Sequence, residues 1–417
     1  MNLLYFTTAY DRGIFGNRVH EEFLARLQSR GHRVTVLTPA PGQRGGPRLA
    51  VEPGTPPVAR MAVSATRVAR AANFAAGRLL HYDHFATALA GYRAWLRDHP
   101  AIDIIHVESV YPLGAVAALA GDPRPFIPTI RGGDLIADDA IAYGFARFRM
   151  VRWLLRLTFQ RAAFVRAVSP GARAMAIRYG CPPEKIVVVP RNIRDDCFVT
   201  EIAPFRAQQR AAIAARHSLA DGRLIVAAGR LLPVKGFDDL IRALPAVLQR
   251  VPDATVLICG PNRRDPRLGD YGAYLEGLIR NNGVAGRVML VGHVPPEQMA
   301  AYLAAADVVA VPSLIEGGNK ILVEGAAVGT PFVATETSGT PGFFCNGEGL
   351  TVPPRDPGRL AAALGAVLTD PAGWRARSAA CVAGRMRFHS TTVAQEMERL
   401  YAAAIDREAV VRTDVVR

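Results

Sequence analysis

The chain has 417 residues, half of them apolar, and this exceeds the size at which one hydrophobic core usually keeps growing, so two domains are predicted. Its net charge of +14 is uneven, because residues 1–190 hold 24 basic against 13 acidic side chains. No apolar run is long enough to span a bilayer and the opening residues lack a signal-peptide pattern, so we expect a cytoplasmic location.

The cysteines are scattered, odd in number and never in a C-x-x-C pair: Cys181, Cys197, Cys259, Cys345 and Cys381. This pattern argues against a disulfide framework and a zinc site. We expect reduced packing residues, and a redox or nucleophilic role for one of them is the alternative.

Short β-branched runs alternate with helical patterns along the chain. The first half contains predicted strands at 2–7, 33–38, 102–107, 124–130, 163–169 and 186–190, and the second half at 223–229, 254–259, 288–292, 308–312, 331–335 and 349–352. The helical segment after each strand is typical of βαβ units. We predict an α/β protein with two Rossmann-like, doubly wound parallel-sheet domains facing a cleft.

The strand pattern is interrupted in residues 191–222. The predicted division is a first domain over 1–195, a linker over 196–222, a second domain over 223–385 and a helical tail over 386–417 that could cross back to the first domain.

Two cations follow strand 223–229 in the sequence GRLLPVKG. Ligands of open parallel sheets bind outside the carboxyl ends of the strands, and Arg230 and Lys235 beside free N–H groups suit a diphosphate there. A solvated loop with unrelated cations is the alternative. Only three of the fifty basic residues are lysines, Lys185, Lys235 and Lys320, which favours a ligand role for Lys235.

Two acids follow strand 308–312. Glu316 lies in a turn with Gly317 and Gly318, where the backbone can approach a ligand closely, and Glu324 lies eight residues further, near the same face of the next helix. Carboxylates at these places can accept hydrogen bonds from the hydroxyls of a ribose and a sugar. The alternative is that Glu316 caps the helix and Glu324 makes a buried ion pair.

These segments resemble the retaining glycosyltransferases of family 4, which have the GT-B architecture. The resemblance rests on Glu316-x7-Glu324 with the following GAAVGTPFVAT, and on Gly229-Arg-Leu-x3-Lys235-Gly236. Weaker matches at 29–39, 162–192 and 349–364 extend it along nearly the whole chain.

The resemblance implies roles for these residues. Arg230 and Lys235 would hold the donor pyrophosphate and neutralise the leaving nucleoside diphosphate, Glu324 would bind the ribose, and Glu316 would bind the donor sugar. Further contacts would come from Gly317, Gly318 and Asn319, from Gly16 on the donor side and from Gly13 on the acceptor side. Since no D-x-D tripeptide occurs, we expect no metal and no cofactor, with a UDP- or GDP-sugar as substrate.

The first half departs from the family pattern. Where many members carry a T-x-H-G-x-D stretch, this chain has Thr129-Ile-Arg131-Gly-Gly-Asp134, and a guanidinium cannot act as a general base. This is compatible with front-face transfer, in which the leaving phosphate deprotonates the acceptor. Arg131 is an acceptor-side candidate, Asp134 is an acceptor contact or a helix cap, and His106 is an acceptor-side residue or a core histidine. The segment PRNIRDDCF also lacks the glycine of the common P-N-G-V-D hinge.

Arginines dominate two stretches of the first half. Residues 41–82 hold six arginines and one acid, and eight arginines without an acid lie between Asp139 and Glu184. Both stretches suit helices on an anionic membrane leaflet, and ordinary amphipathic helices with arginines facing water are the alternative. No nucleic acid is expected, because the aromatic residues lie among core-like positions.

We therefore expect a retaining, metal-independent glycosyltransferase of hexosyltransferase type. It would move a sugar from a nucleotide sugar to a glycan or lipid-linked acceptor in bacterial cell-surface polysaccharide biosynthesis, on the inner membrane face. The alternatives are a nucleotide-sugar epimerase or sugar phosphorylase of the same architecture, or a non-catalytic, membrane-associated module that binds sugar nucleotides.

Overall fold

The computed structural model describes residues 1–11, 17–44, 49–63, 67–141, 143–265, 267–337, 339, 342–344 and 346–415. The strands are β1 (Asn2–Phe6), β2 (Arg33–Arg44), β3 (Leu49–Glu52), β4 (Val58–Val63), β5 (Ile104–Val107), β6 (Phe126–Ile130), β7 (Val165–Ala167), β8 (Ile186–Val188), β9 (Leu224–Ala228), β10 (Thr255–Cys259), β11 (Arg264–Asp265), β12 (Gly269–Asp270), β13 (Val288–Gly292), β14 (Val308–Val311), β15 (Phe332–Thr335) and β16 (Gly349–Val352). The helices are α1 (Arg18–Ser29), α2 (Arg67–Leu80), α3 (Phe85–Asp98), α4 (Ala115–Ala120), α5 (Arg149–Arg161), α6 (Pro170–Arg178), α7 (Ile202–His217), α8 (Phe237–Arg250), α9 (Tyr271–Asn281), α10 (Pro296–Ala305), α11 (Lys320–Ala327), α12 (Pro357–Thr369), α13 (Pro371–Gly384) and α14 (Ser390–Val415).

The chain divides into two compact units, the first formed by Met1–Asn192 with Ser390–Arg417 and the second by Ile193–His389. Each unit has its own sheet, with the strand order β3-β4-β2-β1-β5-β6-β7-β8 in the first and β13-β10-β9-β14-β15-β16 in the second. The paired strands of these two sheets are parallel except for β3 and β4. The predicted pair of doubly wound parallel sheets is therefore confirmed.

Apolar helix faces cover both sides of the first sheet. Residues from α3, α4 and α5 form one core with β1, β5 and β6. On the other face, α14 places Val393, Met397 and Tyr401 against Phe23 and Leu27 of α1. The spacing of four residues along α14 keeps its three side chains on one stripe, so the C-terminal helix completes the core of the first unit.

The second sheet is covered in the same way. Helices α8, α9 and α12 pack on one face and helices α10 and α11 on the other. Residues 196–222, which the sequence predicts as a linker, instead contain α7, and this helix packs within the second unit. The prediction fails because the polar face of α7 resembles a solvated segment, whereas Arg206 and Arg210 donate hydrogen bonds to the carbonyl oxygens of Ala306 and Ala305.

All twelve predicted strands of the two sheets are present, and β3 and β4 are additional. Each sheet has a switch point, where the connections from two neighbouring strands run toward opposite ends of the sheet. It lies between β1 and β5 in the first unit and between β9 and β14 in the second. Ligands of open α/β sheets bind beside the carboxyl ends of strands at such points. The loops after β9 and β14, and those after β1 and β5, are therefore where functional side chains are sought.

Within the described ranges, no helix combines the length and the apolar character that a membrane crossing requires.

Candidate active site

The loops that follow β9 and β14 are joined by their backbones. Gly236, at the start of α8, has φ +65°, and a Cβ atom there would lie 2.0 Å from the carbonyl oxygen of Pro312. The Leu314 N–H donates to the Val234 carbonyl at 2.9 Å. Only glycine fits this crossing, which fixes the loop of Lys235 against the loop of Glu316.

Lys235 and Glu316 form an ion pair between these loops. Lys235 Nζ donates to Glu316 Oε1, which also accepts a hydrogen bond from Ser313 Oγ at 3.0 Å and lies 3.5 Å from Asn319 Nδ2. The lysine and glutamate side chains are 22% and 13% exposed. The cap of α11 is Asn319, whose Oδ1 accepts from the Leu322 N–H at 3.2 Å, and Glu316 is therefore not the helix cap.

Glu324 lies within α11 and its side chain is 2% exposed. Its Oε1 is 3.1 Å from Lys320 Nζ and 3.7 Å from Arg194 Nη1, so the carboxylate is held in a buried cationic environment. Lys320 is the first residue of α11, where a cation opposes the helix dipole, and a lysine preceding its glutamate is the weaker order for a helical pair. Helix stability alone does not account for this lysine.

Glycine backbones border the same loops. Gly317 is buried and Gly318 is exposed, and a Cβ atom on Gly339 would lie 2.7 Å from the Gly318 backbone nitrogen. The segment after β15 therefore lies directly on the turn that carries Glu316.

The structure brings Lys235, Glu316 and Asn319 into contact and places Glu324 on the adjoining helix. The Arg230 side chain, although on the same loop as Lys235, is exposed and makes no hydrogen bond or ion pair with another described residue. Sequence reasoning missed Ser313, Lys320 and Arg194. The rarity of lysine pointed toward Lys320, whereas nothing local pointed to Arg194.

In the first unit, His106 is fully buried at the end of β5. Its Nε2 lies 3.2 Å from Glu108 Oε1 and 3.0 Å from Thr129 Oγ1, and its Nδ1 bonds the Tyr401 hydroxyl. Burial lowers the pKa of His106. With no exposed surface, His106 is a core residue that cannot touch an acceptor directly.

Glu108, which sequence reasoning missed, lies among cations. Arg131 Nε and Arg166 Nη1 are 4.0 Å and 3.9 Å from its carboxylate oxygens. Burial opposes ionisation of this carboxyl, but the hydrogen bond from His106 and the charge of Arg131 hold its pKa well below the usual range. The first unit therefore holds a buried, ionised carboxylate directly after the central strand β5, at the carboxyl end of its sheet.

Asp134 is the cap of a loop. Its Oδ2 accepts from the Val110 N–H at 3.1 Å, and its Oδ1 accepts from the N–H groups of Arg131 and Gly132 at 3.2 and 2.9 Å. Burial raises the pKa of Asp134 in spite of these hydrogen bonds. Because the carboxylate is 4% exposed and bonds the backbone, Asp134 fixes Arg131 and is not an acceptor ligand.

Several other predicted residues have simpler outcomes. Gly13 and Gly16 lie outside the described residues, as does Cys345. The four described cysteines are buried and free, and burial raises the pKa of each thiol, which disfavours a thiolate nucleophile. Across the described ranges no group of three His, Cys, Asp or Glu side chains is arranged to hold a metal ion.

Comparison with known proteins identifies the family of this chain. Residues 16–192 match the model of a glycosyl transferase 4-like domain, and residues 209–382 match that of the glycosyl transferases group 1. The chain is also 30% identical over 281 residues, 66% of its length and 67% of the relative, to a GDP-mannose-dependent alpha-(1-6)-phosphatidylinositol monomannoside mannosyltransferase of Mycolicibacterium smegmatis. The chain belongs to the group 1 glycosyltransferases of family 4.

Two other known proteins are similar to this chain, one over a shorter region and one in fold. A D-inositol 3-phosphate glycosyltransferase of Acidothermus cellulolyticus is 33% identical over 242 residues, 56% of this chain and only about half (51%) of the relative. The crystal structure of Anabaena Alr3699/HepE in complex with UDP has a TM-score of 0.70 at 20% identity, covering 97% of this chain and 100% of that one. The predicted family, GT-B fold and glycosyltransferase activity are thus confirmed.

Proposed function

We propose that this glycosyltransferase moves a sugar, with retention and without a metal, from a nucleotide sugar on its second unit to a hydroxyl of a glycan or lipid-linked acceptor. The observation that carries the proposal is the ion pair of Lys235 with Glu316, which joins two loops at the switch point of the second sheet. A cation and a carboxylate in contact at this place match a ligand that carries phosphate at one end and hydroxyls at the other.

Positive charge for a diphosphate is concentrated around the start of α11. Lys320 begins that helix and Lys235 lies on the neighbouring loop, while the exposed Gly318 allows a ligand to approach the backbone closely. The helix N-terminus adds unpaired N–H groups, and Arg230 is free to reach the same phosphates. Charge of this kind stabilises a leaving nucleoside diphosphate electrostatically, which is the role proposed for these residues.

The two carboxylates would bind hydroxyl groups. Glu316 would accept hydrogen bonds from the donor sugar and Glu324 from the ribose. Lys320 Nζ lies 3.1 Å from Glu324 Oε1, yet the lysine side chain is 47% exposed. Movement of its ammonium onto the diphosphate would neutralise the ligand and uncover Glu324 at the same time, so that phosphate and ribose binding would be coupled.

In the proposed transfer, the bond between the anomeric carbon and the phosphate oxygen breaks and a bond to the acceptor oxygen forms on the same face. The acceptor proton moves to the leaving phosphate oxygen. This assignment of the proton is supported by the first unit, where Arg131 cannot accept a proton and His106 is buried with its nitrogens in hydrogen bonds.

The donor class proposed is a UDP- or GDP-sugar. The name of the Mycolicibacterium smegmatis relative specifies GDP-mannose and a phosphatidylinositol monomannoside, and the Anabaena structure holds UDP. We place the reaction in bacterial cell-surface polysaccharide assembly, at the inner face of the membrane. An acceptor attached to lipid would make membrane contact useful for the first unit.

The surface proposed for membrane contact is formed by α2 and α5. Helix α2 buries only Asn73 and Ala76, while Val68, Phe74 and Leu79 are exposed. On α5, Met150 and Trp153 are exposed and no acid occurs in either helix. The exposed basic residues of the two helices are Arg67, Arg70, Arg78, Arg149, Arg156 and Arg161. Large apolar side chains bordered by arginines suit an anionic bilayer.

Sedimentation with vesicles tests this contact. Vesicles of phosphatidylcholine with phosphatidylglycerol should bind the chain. Binding should fall as the salt concentration rises, because salt screens the attraction between the arginines and the anionic lipids. The change Phe74→Ser together with Trp153→Ser should reduce binding about tenfold or more, since two aromatic side chains inserted into the bilayer would contribute several kcal/mol. Leu268→Ser, at an exposed leucine of the second unit, is the matched control. Equal binding of all three proteins would remove the membrane proposal.

Thermal-shift screening with UDP-, GDP- and ADP-sugars, followed by NMR of the product, tests the transferase proposal. Stabilisation by one nucleotide class and a product with the anomeric configuration of the donor are expected. Activity that requires an added divalent ion, or a product of inverted configuration, would contradict it.

A further inference from the structure

Two arginines follow strands of the first sheet in separate loops. Arg131 lies in the segment TIRGGD, and Arg191 lies in the segment PRNIRDD. They are 60 residues apart in sequence, but they follow β6 and β8 and therefore lie on the same carboxyl edge of the first sheet.

Glu108 and Arg166 bring the two segments together. Arg131 Nε lies 4.0 Å from Glu108, and Arg166 Nη1 lies 3.9 Å from the same carboxylate. Arg166 also donates through Nε to the Val189 carbonyl at 3.1 Å and through Nη2 to the Pro190 carbonyl. The backbone directly before Arg191 is thus tied to the group that faces Arg131.

The loops on either side are equally constrained. Asp134 accepts from the Arg131 N–H at 3.2 Å, and Asn192 Nδ2 donates to the Val19 carbonyl at 2.9 Å. Both guanidiniums are therefore presented by fixed backbone, yet neither donates a side-chain hydrogen bond to another described residue. Their hydrogen-bonding capacity is open to a ligand.

The local charge is unbalanced. Three guanidiniums, those of Arg131, Arg166 and Arg191, lie near the carboxylate of Glu108, and the carboxyl group of Glu396 also interacts with Arg166. His20 beside them is neutral, because burial lowers its pKa to about 3. Burial, and after it the positive charge of Arg131, lowers the pKa of Arg191 to about 10. An anion placed between the two arginines would relieve this repulsion.

We propose that Arg131 and Arg191 form a binding site for an oxyanion carried by the acceptor, a phosphate monoester or diester. Planar guanidiniums suit phosphate because each can donate two parallel hydrogen bonds. That the anion belongs to an acceptor rests on the transfer reaction proposed above, whereas anion binding itself is independent of turnover.

The first test measures binding of inorganic phosphate to the full-length protein by calorimetry, at constant ionic strength. Arg131→Gln and Arg191→Gln should each weaken binding about tenfold or more, because a hydrogen bond to a charged group is worth roughly 1.5–3 kcal/mol. Arg131→Lys and Arg191→Lys should retain part of the affinity. Arg178→Gln, at the far end of α6, is the matched control and should change nothing.

Arg230→Gln separates this site from the donor site. If phosphate binding falls with Arg230→Gln but not with Arg131→Gln or Arg191→Gln, the ion occupies the donor loop and the inference is overturned. Thermal shifts with UDP- and GDP-sugars should be the same in Arg131→Gln and wild type. A wild-type protein that binds no nucleotide sugar, but whose phosphate binding still depends on Arg131 and Arg191, would refute the proposed transfer and leave the anion site standing.

Further arms identify the source of the phosphate. Glucose 6-phosphate and glucose serve as soluble probes, and phosphatidylcholine vesicles with or without phosphatidylinositol serve as lipid probes. If the phosphate belongs to a free acceptor, Arg191→Gln should weaken the binding of glucose 6-phosphate about tenfold and leave vesicle binding unchanged. If it belongs to a lipid headgroup, Arg191→Gln should weaken the binding of phosphatidylinositol vesicles. Equal affinity of wild type and variant for every probe would overturn the proposal.

Discussion

Replacing Lys235 by methionine tests the proposed donor site most directly. The substitution removes the ammonium but keeps most of the length of the side chain. In the structure this ammonium contacts Glu316 on the neighbouring loop, so the change affects both the charge offered to the diphosphate and the pairing of a carboxylate.

The effect on stability follows from the exposure of the pair. Loss of one partner costs about 3–5 kcal/mol for a fully buried ion pair and about 0–1 kcal/mol for an exposed one. The two side chains are 22% and 13% exposed, and Glu316 keeps its hydrogen bond from Ser313 Oγ at 3.0 Å. We therefore expect a loss of about 1–2 kcal/mol in the free energy of unfolding.

The effect on catalysis should be larger. Removing one group that stabilises developing charge typically lowers the rate by about 100- to 1000-fold. We expect a fall of this size in kcat/KM, measured as nucleotide release in the presence of acceptor. Glu316→Gln should change activity less in the Lys235→Met background than in the wild type, because the contact between the two residues is already lost.

The control is Lys185→Met, since Lys185 Nζ donates to the carbonyls of Phe159, Gln160 and Ala162 at the end of α5, far in sequence from the donor loops. It should lower stability by about 1 kcal/mol and leave kcat/KM unchanged. An activity of Lys235→Met within threefold of wild type, or an equal loss in Lys185→Met, would refute the reasoning.

Three further predictions concern the acids, a buried histidine and the C-terminal helix. Glu324→Ala should weaken donor binding about tenfold by calorimetry, whereas Glu316→Ala should lower kcat more than donor affinity; small and equal effects would contradict both roles. Burial lowers the pKa of His20 to about 3. As pH falls below about 6.5, this histidine is therefore protonated in the unfolded chain but not in the folded protein, and stability is lost. Measured with urea, the free energy of unfolding should fall between pH 7 and 5.5 by roughly 1.2 kcal/mol less in His20→Gln than in wild type. An identical pH dependence of the two proteins would exclude His20 as the source of this loss. Met397→Ala, at a fully buried site of α14, should cost about 2–5 kcal/mol, while Trp153→Ala at the surface of α5 should cost less than about 1 kcal/mol in the same measurement.

The sheets were predictable because their strands are buried on both faces and appear as short β-branched runs. Strands β3 and β4 escaped prediction because a segment rich in proline and glycine, EPGTPP, separates them and resembles a loop. Helix α7 was missed for another reason. Its contacts use arginines that donate to backbone carbonyls, and periodicity of apolar residues does not register such contacts.

The candidate site shows a similar division. Loop position after a strand predicted where Lys235 and Glu316 would lie, but not that they contact each other. Whether Glu316 or Asn319 caps α11 also depends on the turn geometry, because both residue types can precede a helix. No signal in the sequence pointed to the contact of Arg194 with Glu324, 130 residues away, or to those of Glu108 with Arg131 and Arg166, 23 and 58 residues away.

The three lysines show how a compositional signal gains meaning only from the fold. In a chain whose cations are otherwise arginines, Lys185 lies where three helix-terminal carbonyls converge on one point, whereas Lys235 and Lys320 each pair with one site carboxylate. A compact ammonium can be surrounded by acceptors in three directions, whereas a planar guanidinium donates within one plane. Three converging acceptors therefore explain a lysine at position 185. Since the role of Lys185 is structural, whereas Lys235 and Lys320 belong to the proposed donor site, the rarity of lysine alone could not have separated the two kinds of site.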